Sequence, residues 1–109
     1  MKEIKKMDVI DLTKNIEESW KNFPICGIND QVVRLSVLQK DFYWHKHDES
    51  DEFFYVIDGE LFVDFRTHTE TLTKGQMIKV PKGVEHRTRS KKRTTILCFE
   101  SADNDVSVD

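Results

Sequence analysis

Hydrophobic and polar residues alternate over several short stretches of this chain, which is the pattern of half-buried β-strands. Residues 31–39, for example, place Val33, Leu35 and Val37 on one face, opposite polar neighbours. Further apolar runs of strand length stand at residues 52–57, 77–80 and 94–99. Short strands separated by polar turns predict an all-β sandwich or barrel.

The N-terminal segment differs from this pattern. Residues 8–12 could form an edge strand, and after them Ile16 and Trp20 follow at a helical spacing. Thr13 is an eligible N-cap residue, and Pro24 would end the helix. We therefore expect a short N-terminal helix that packs through Trp20, within an N-terminal strand and helix segment over residues 8–23.

A turn is predicted at Asp58-Gly59, because this dipeptide lies between two apolar runs and suits a two-residue hairpin loop. In such a hairpin, one face carries Glu52, Phe54, Val56, Leu61, Val63 and Phe65. A carboxylate at the end of an apolar face is costly to bury alone. A metal ion or another cation beside Glu52 would remove that cost.

Three histidines could supply the partners of this carboxylate. His45 and His47 alternate with one residue between them, so both point to one face, roughly 6–7 Å apart along a strand. His86 follows a later turn, and the spacings allow His45, His47, Glu52 and His86 to converge on one metal ion. By parity Tyr43 shares their face, as a pocket residue or as simple packing. The fourth histidine, His68, stands in a polar turn and is expected to be solvated.

These residues also match two motifs of a known family. The first motif has two histidines one residue apart, a Glu and a Gly, here His45, His47, Glu52 and Gly59. The second has Gly, Pro, Gly and His, here Gly75, Pro81, Gly83 and His86. Over roughly residues 30–100 the sequence resembles small single-domain cupins, some of which are labelled mannose-6-phosphate isomerase-like.

The resemblance implies a double-stranded β-helix, or jelly-roll barrel, with a metal inside one end. His45, His47, Glu52 and His86 would be the ligands of one divalent transition metal ion. Imidazole and carboxylate donors suit Fe, Mn, Ni, Co, Cu and Zn alike. A six-coordinate ion would keep two open positions for a small-molecule ligand or substrate.

Three functions follow from such a site. The first is a metalloenzyme, an isomerase, epimerase or oxygenase acting on a small oxygen-rich molecule, with Tyr43 as the first candidate for general acid or hydrogen-bond donor. The second is a small-molecule or metal-binding module without turnover. The third is a structural zinc site with four protein ligands and no open position.

Composition narrows the partners. The 109 residues suit a single domain, and a net charge of −3 with 34% charged residues gives no bias toward nucleic acid or membrane. No apolar run approaches the ~20 residues of a membrane span, and Cys26 and Cys98 are expected to be reduced, so we expect a cytoplasmic protein. Residues 87–93 form a basic run expected to be a solvated turn, and the acidic residues 101–109 are expected to be disordered.

The predicted hairpin also leaves an apolar outer face. It would carry Phe53, Tyr55, Ile57 and Phe62. The N-terminal helix could cover part of this face within the chain, but it is too short to cover it all. We therefore expect a homodimer that pairs through this face.

Overall fold

The computed structural model describes residues 3–103 and the backbone of residues 107–108. Within them the chain forms one 3₁₀ turn, η1 (Asp11–Thr13), and ten short strands. The strands are β1 (Trp20–Ile28), β2 (Gln31–Leu38), β3 (His45–Lys46), β4 (Glu52–Asp58), β5 (Glu60–Asp64), β6 (Thr69–Thr73), β7 (Met77–Val80), β8 (Arg87–Arg89), β9 (Thr94–Ser101) and β10 (Ser107–Val108). No helix in this part of the chain is long and apolar enough to cross a membrane.

Two antiparallel sheets pack face to face. The larger has the strand order β1-β2-β9-β4-β7 and the smaller the order β6-β5-β8, while β10 and β3 pair separately. The core between the sheets is formed by Leu38, Phe54, Val56, Leu61, Val63, Leu72, Val80, Ile96 and Cys98. The predicted all-β architecture is confirmed.

The predicted hairpin at Asp58-Gly59 is wrong. β4 pairs with β7 and β9, whereas β5 pairs with β6 and β8, so the chain passes from one sheet to the other at Gly59. Gly59 has φ 97°, and a Cβ there would lie 2.8 Å from the carbonyl oxygen of Arg93. The glycine is therefore needed for a tight corner. The predicted inward face survives, because alternation within each strand does not depend on which strand is its neighbour.

The expected N-terminal helix is also placed wrongly. A short helical segment is present, but it is the 3₁₀ turn η1, and Trp20 begins strand β1. Pro24 lies within this strand, where β1 forms the edge of the sheet and its register with β2 shifts just after the proline. An edge strand tolerates proline because its missing N–H need not join a ladder.

Strand β2 of the larger sheet points its polar side chains, rather than its apolar ones, into the barrel. Arg34 and Ser36 of β2 face the barrel interior, whereas Val33, Leu35 and Val37 face outward and are covered by neighbouring outer side chains. Aligned residues of β2, β9 and β4 form two rows on this outer face: Val33, Phe99 and Phe53, then Leu35, Leu97 and Tyr55. The outer face of the sheet is thus largely apolar.

The apolar patch expected on the hairpin is split by the corner at Gly59. Phe53, Tyr55 and Ile57 are half-buried on the larger sheet, but Phe62 belongs to the smaller one. There the guanidinium carbon of Arg89 lies 4.5 Å from the centre of the Phe62 ring. Only the part on the larger sheet remains a candidate interface.

Two expectations for the polar segments change as well. The basic run is not simply solvated, because Arg87 and Arg89 both donate to Asp64 on β5. Disorder does not describe the whole tail, since residues 107–108 pair with β3. Residues 104–106 and 109 lie outside the described residues.

Candidate metal centre

Four side chains predicted to be ligands meet at the polar end of the barrel interior. His45 lies on β3 and His47 just after it, Glu52 opens β4, and His86 stands just before β8. The backbones of His45 and His86 are paired, each N–H donating to the other's carbonyl oxygen at 2.9 Å. All four side chains are buried. The antiparallel bridge to His45 thus brings His86 to the site, although the two residues are far apart in the sequence.

The ligand atoms of the four residues are close. His45, His47 and Glu52 each place one ligand atom within 4.8 Å of the others. Glu52 Oε1 lies 3.1 Å from Nε2 of His86 and 3.3 Å from Nε2 of His47. Neighbouring ligand atoms on an octahedral ion with bonds of about 2.1 Å would stand about 3 Å apart. The two distances from Glu52 Oε1 are close to this spacing.

Backbone carbonyls orient two of the imidazoles. His45 Nδ1 lies 2.8 Å from the carbonyl oxygen of Tyr43, and His86 Nδ1 lies 2.9 Å from that of Val84. A carbonyl oxygen only accepts, so both Nδ1 atoms carry hydrogen and Nε2 is directed at the cluster. These two hydrogen bonds fix the tautomer that a metal ligand needs.

A cation is required between Glu52 and His86. In a neutral ring with hydrogen on Nδ1, Nε2 presents a lone pair, and so does the carboxylate oxygen 3.1 Å away. Either a proton on Nε2 or a metal ion must lie between them. A proton could lie between only one pair of atoms, whereas a metal ion could bind the side chains of all four residues. The donor set therefore fits a transition metal.

Burial and hydrogen bonding set the charges of this cluster. Burial lowers the pKa of His45 below its usual value, despite the opposing bond to Tyr43. Burial alone would raise the pKa of Glu52, but its contacts with the rings of His47 and His86 and with the thiol of Cys98 outweigh burial and hold the pKa well below its usual range. A neutral imidazole and an ionised carboxylate are the forms that bind metals.

Comparison with known proteins agrees with this geometry. The family described as "Cupin domain" matches residues 31–100. The chain belongs to the cupin family. It is 40% identical over 97 residues to an uncharacterised protein, YdbB, of Bacillus subtilis, covering 88% of this chain and 86% of that one.

Solved structures share the cupin barrel. A cupin-2 domain protein from Shewanella frigidimarina is 33% identical with a TM-score of 0.83, covering 87% of this cupin and 93% of the other chain. Protein NMB1881 from Neisseria meningitidis is 28% identical with a TM-score of 0.80, covering 90% of this chain and all of the other, 100%. The double-stranded β-helix expected from the resemblance is confirmed.

Tyr43, the predicted general acid, is not brought to the cluster. Its side chain is 66% exposed and does not line the cavity beside the histidines. Strand β3 begins only at His45, so strand alternation does not extend back to Tyr43. Phe42 lines the cavity instead, with its ring stacked on Trp20 at 5.7 Å. What Tyr43 contributes is its backbone carbonyl, which orients His45.

A cavity of about 240 Å³ opens beside the cluster. His45, His47 and Glu52 line its floor, and Trp20 and Phe42 form one wall. A larger space of about 680 Å³ lies on the outer face of the sheet and includes none of the four candidate ligands. Of these two cavities, the smaller one is lined by candidate metal ligands.

Beside Trp20, the larger sheet also lines the cavity with a polar strip that the sequence did not reveal as part of the site. Arg34 Nε donates to Glu100 Oε1 at 3.0 Å, and Arg34 Nη1 contacts Asn22 Oδ1 at 3.4 Å. The Asn22 amide in turn donates to the hydroxyl of Ser36. The alternation of Arg34 and Ser36 with valines and leucine is the available signal, but alternation alone does not show which face of β2 points into the barrel.

Cys98 also lines the cavity and contacts Glu52. Its thiol donates to Glu52 Oε2 at 3.1 Å. Burial, together with the charge of Glu52, raises the pKa of this thiol, so it remains protonated. Glu52, Cys98 and Glu100 form a second buried group whose ligand atoms lie within 4.8 Å of one another. Cys98 is a packed residue, as expected, with one added hydrogen bond.

His68, the fourth histidine, differs from these buried groups. It is exposed, and its Nε2 contacts Glu70 at 2.9 Å. The expectation of a solvated loop histidine agrees with this placement.

Proposed function

We propose that this cupin binds one divalent transition metal ion through His45, His47, Glu52 and His86 and uses it to bind a small oxygen-rich molecule. The observation that carries the proposal is the 3.1 Å approach of Glu52 Oε1 to His86 Nε2, on a ring whose Nδ1 is bound to a carbonyl. Fe, Mn, Ni, Co, Cu and Zn all remain suitable ions.

The cavity favours an open site over a closed structural zinc site. Three of the four proposed ligand residues line a space that holds roughly eight water molecules, at about 30 Å³ each. A bound ion would act as a Lewis acid toward a carbonyl or hydroxyl group of a molecule held there. A mannose-6-phosphate isomerase activity rests on the resemblance alone, and the residues that line the cavity give it no separate support.

Turnover is our first choice over simple binding. Trp20 and Phe42 exclude water from one side of the cavity, and Glu100 places a carboxylate on the other. Glu100 is the ionisable cavity residue, beyond the proposed ligands, that could accept a proton from a bound molecule. The activity expected is therefore an isomerase, epimerase or oxygenase of the cupin type. A binding module is the alternative, and it would show metal-dependent binding without any change in the bound molecule.

Metal retention tests the proposal. Chelator-treated protein is supplied with each of the six metals, desalted, and measured by elemental analysis. Wild-type protein should keep about one ion per chain with at least one of the metals. His47→Ala should lose it, and His68→Ala, which removes an exposed histidine outside the cluster, should not. Wild-type protein that keeps none of the six overturns the proposal.

We also propose that two copies pair through the outer face of the larger sheet, in the cytoplasm. Arg93 donates to the carbonyl oxygens of Thr13 and Ile16 at 2.7 Å, which ties the N-terminal segment across one end of this face. The other end keeps a groove in which Ile28 is 52% and Met77 56% exposed.

The rim of that groove suits an identical copy. It carries acidic Glu49 and Asp51 beside basic Lys82, so a two-fold axis could set opposite charges against each other. Light scattering coupled to size exclusion should give twice the chain mass, and Met77→Lys should lower it. Ile4→Lys, at a fully exposed position away from the groove, is the control. A wild-type mass of one chain refutes the dimer.

A further inference from the structure

The polar strip Asn22, Arg34, Ser36 and Glu100 crosses three adjacent strands on the inner face of the larger sheet. Asn22 is aligned with Ser36 between β1 and β2, and Arg34 with Cys98 between β2 and β9. Every member of the strip lines the cavity beside the metal cluster. A barrel interior has no packing need for a guanidinium, which is costly to desolvate.

The guanidinium of Arg34 keeps donors for another partner. Arginine has five N–H donors in a planar fork. Among the described residues, Glu100 engages Nε and Asn22 makes a long contact with Nη1. The side chain is 32% exposed, while that of Glu100 is 10% exposed. Arg34 is therefore held in position by its neighbours with one edge open to the cavity.

The charges of the cavity favour an anion once an ion is bound. Arg34 and Glu100 cancel each other, and Glu52 offsets half the charge of a divalent ion. The loaded cavity thus has a single net positive charge, with the donors of Arg34 on its wall. A molecule with one carboxylate would complement this charge. An oxygen next to that carboxylate could reach the ion.

We propose that Arg34 is a specificity-determining residue of this cavity, and that the ligand is a small monocarboxylate with a hydroxyl or carbonyl oxygen next to the carboxylate. The inference rests on the proposed function, because it assumes that an ion is bound at the cluster. Arg34 binds the carboxylate through its open edge. The cavity of about 240 Å³ has room for a molecule of this size.

The test compares lactate with lactamide, its neutral amide of similar size. Protein is loaded with Co²⁺, whose visible absorption spectrum reports binding near the ion, and loading is first measured by elemental analysis. Wild-type protein should bind lactate at least about tenfold more tightly than lactamide, since the charged hydrogen bond is lost in the amide. Arg34→Gln should remove this preference.

Two further variants separate the possible causes. Arg66→Gln removes a positive charge from an exposed position outside the cavity, and it should keep the preference for lactate. Since Arg34→Gln leaves Glu100 without its counter-ion, the double variant Arg34→Gln with Glu100→Gln removes both charges if the single variant does not fold. It should also lose the preference.

The outcomes distinguish the two proposals. A protein that does not retain Co²⁺ or any other ion overturns the proposed function and this inference with it. A loaded wild-type protein that binds lactate and lactamide equally, or binds neither at 10 mM, overturns the inference alone, as does an Arg34→Gln protein that keeps the preference.

Discussion

Two carboxylates in this barrel, Glu52 and Asp64, are both 5% exposed but are neutralised in different ways. Asp64 accepts from Arg89 Nε at 2.7 Å, from Arg87 Nε at 2.9 Å and from the hydroxyl of Thr69 at 2.6 Å. The hydrogen bond from Arg89 is the main reason that its pKa lies well below the usual range. Two permanent cations make this carboxylate complete without any bound ion.

Glu52 has partners of another kind. It contacts the rings of His47 and His86 and the thiol of Cys98, none of which is a permanent cation. Glu52 is as buried as Asp64 but has no arginine or lysine beside it. Its carboxylate therefore requires a cation from outside the chain or a proton on an imidazole. The comparison teaches that the type of partner, rather than burial itself, separates a candidate ligand from a structural carboxylate.

The largest expected effect is on metal affinity. Because loss of an outer-shell partner typically lowers metal affinity by ~10–100-fold, Glu52→Gln, which changes a ligand itself, should lower it by about a thousandfold. Competition with a chelating dye measures the affinity. Asp64→Asn is the matched change of a buried carboxylate to an amide, and it should leave the affinity within about threefold, since no described contact joins Asp64 to the cluster. Equal losses in both variants would remove the distinction.

The second effect is on stability, and here the change at Asp64 should cost more than the change at Glu52. Asp64→Asn leaves two partly buried arginines without their charge partner, so the free energy of unfolding should fall by about 2–4 kcal/mol. Urea unfolding of the metal-free protein measures this value. Glu52→Gln should cost less under the same conditions. A larger loss for Glu52→Gln would show that Glu52 is the structural carboxylate.

The third prediction concerns pH. The folded-state pKa of Asp64 lies below the unfolded value of about 3.9, so its contribution is complete above that value and is lost as pH falls through it toward the folded pKa. The stability difference between wild type and Asp64→Asn, both metal-free, should therefore narrow below about pH 4. Urea midpoints at pH 6 and pH 3 provide the comparison. A difference that stays constant would contradict the pairing with Arg87 and Arg89.

The smallest effect is expected at Cys98. Its thiol donates to the second oxygen of Glu52, so Cys98→Ala removes a partner that orients the carboxylate. Metal affinity should fall by about tenfold, the lower end of the range for outer-shell changes. The chelating-dye competition applies here too. A loss as large as that of Glu52→Gln would make Cys98 a direct ligand.

Alternation predicted much of this fold, because which face a residue takes depends on its own strand. Phe54, Val56, Leu61 and Val63 are buried as expected, although their strands are not partners. Pairing between strands was not predictable from the Asp58-Gly59 dipeptide. A glycine with positive φ suits a hairpin loop and a corner between sheets equally well.

The site was predictable for the candidate ligands, which share strands or motifs. It was less predictable for residues that only long-range strand pairing brings together. His45, His47, Glu52 and His86 meet as their spacing suggested, but the parity that included Tyr43 failed because β3 is only two residues long. Arg34 and Glu100 come from strands far apart in sequence, and only the register of β2 and β9 brings them together. No local pattern carries that information.

The most direct test of the difference between the two carboxylates is anomalous diffraction from a crystal of Co²⁺-loaded protein. The predicted result is one strong peak per chain, about 2.1 Å from the three histidine Nε2 atoms and bonded to Glu52, with none at Asp64. No peak at Glu52, or a peak coordinated by Cys98 and Glu100 instead of the histidines, would contradict it.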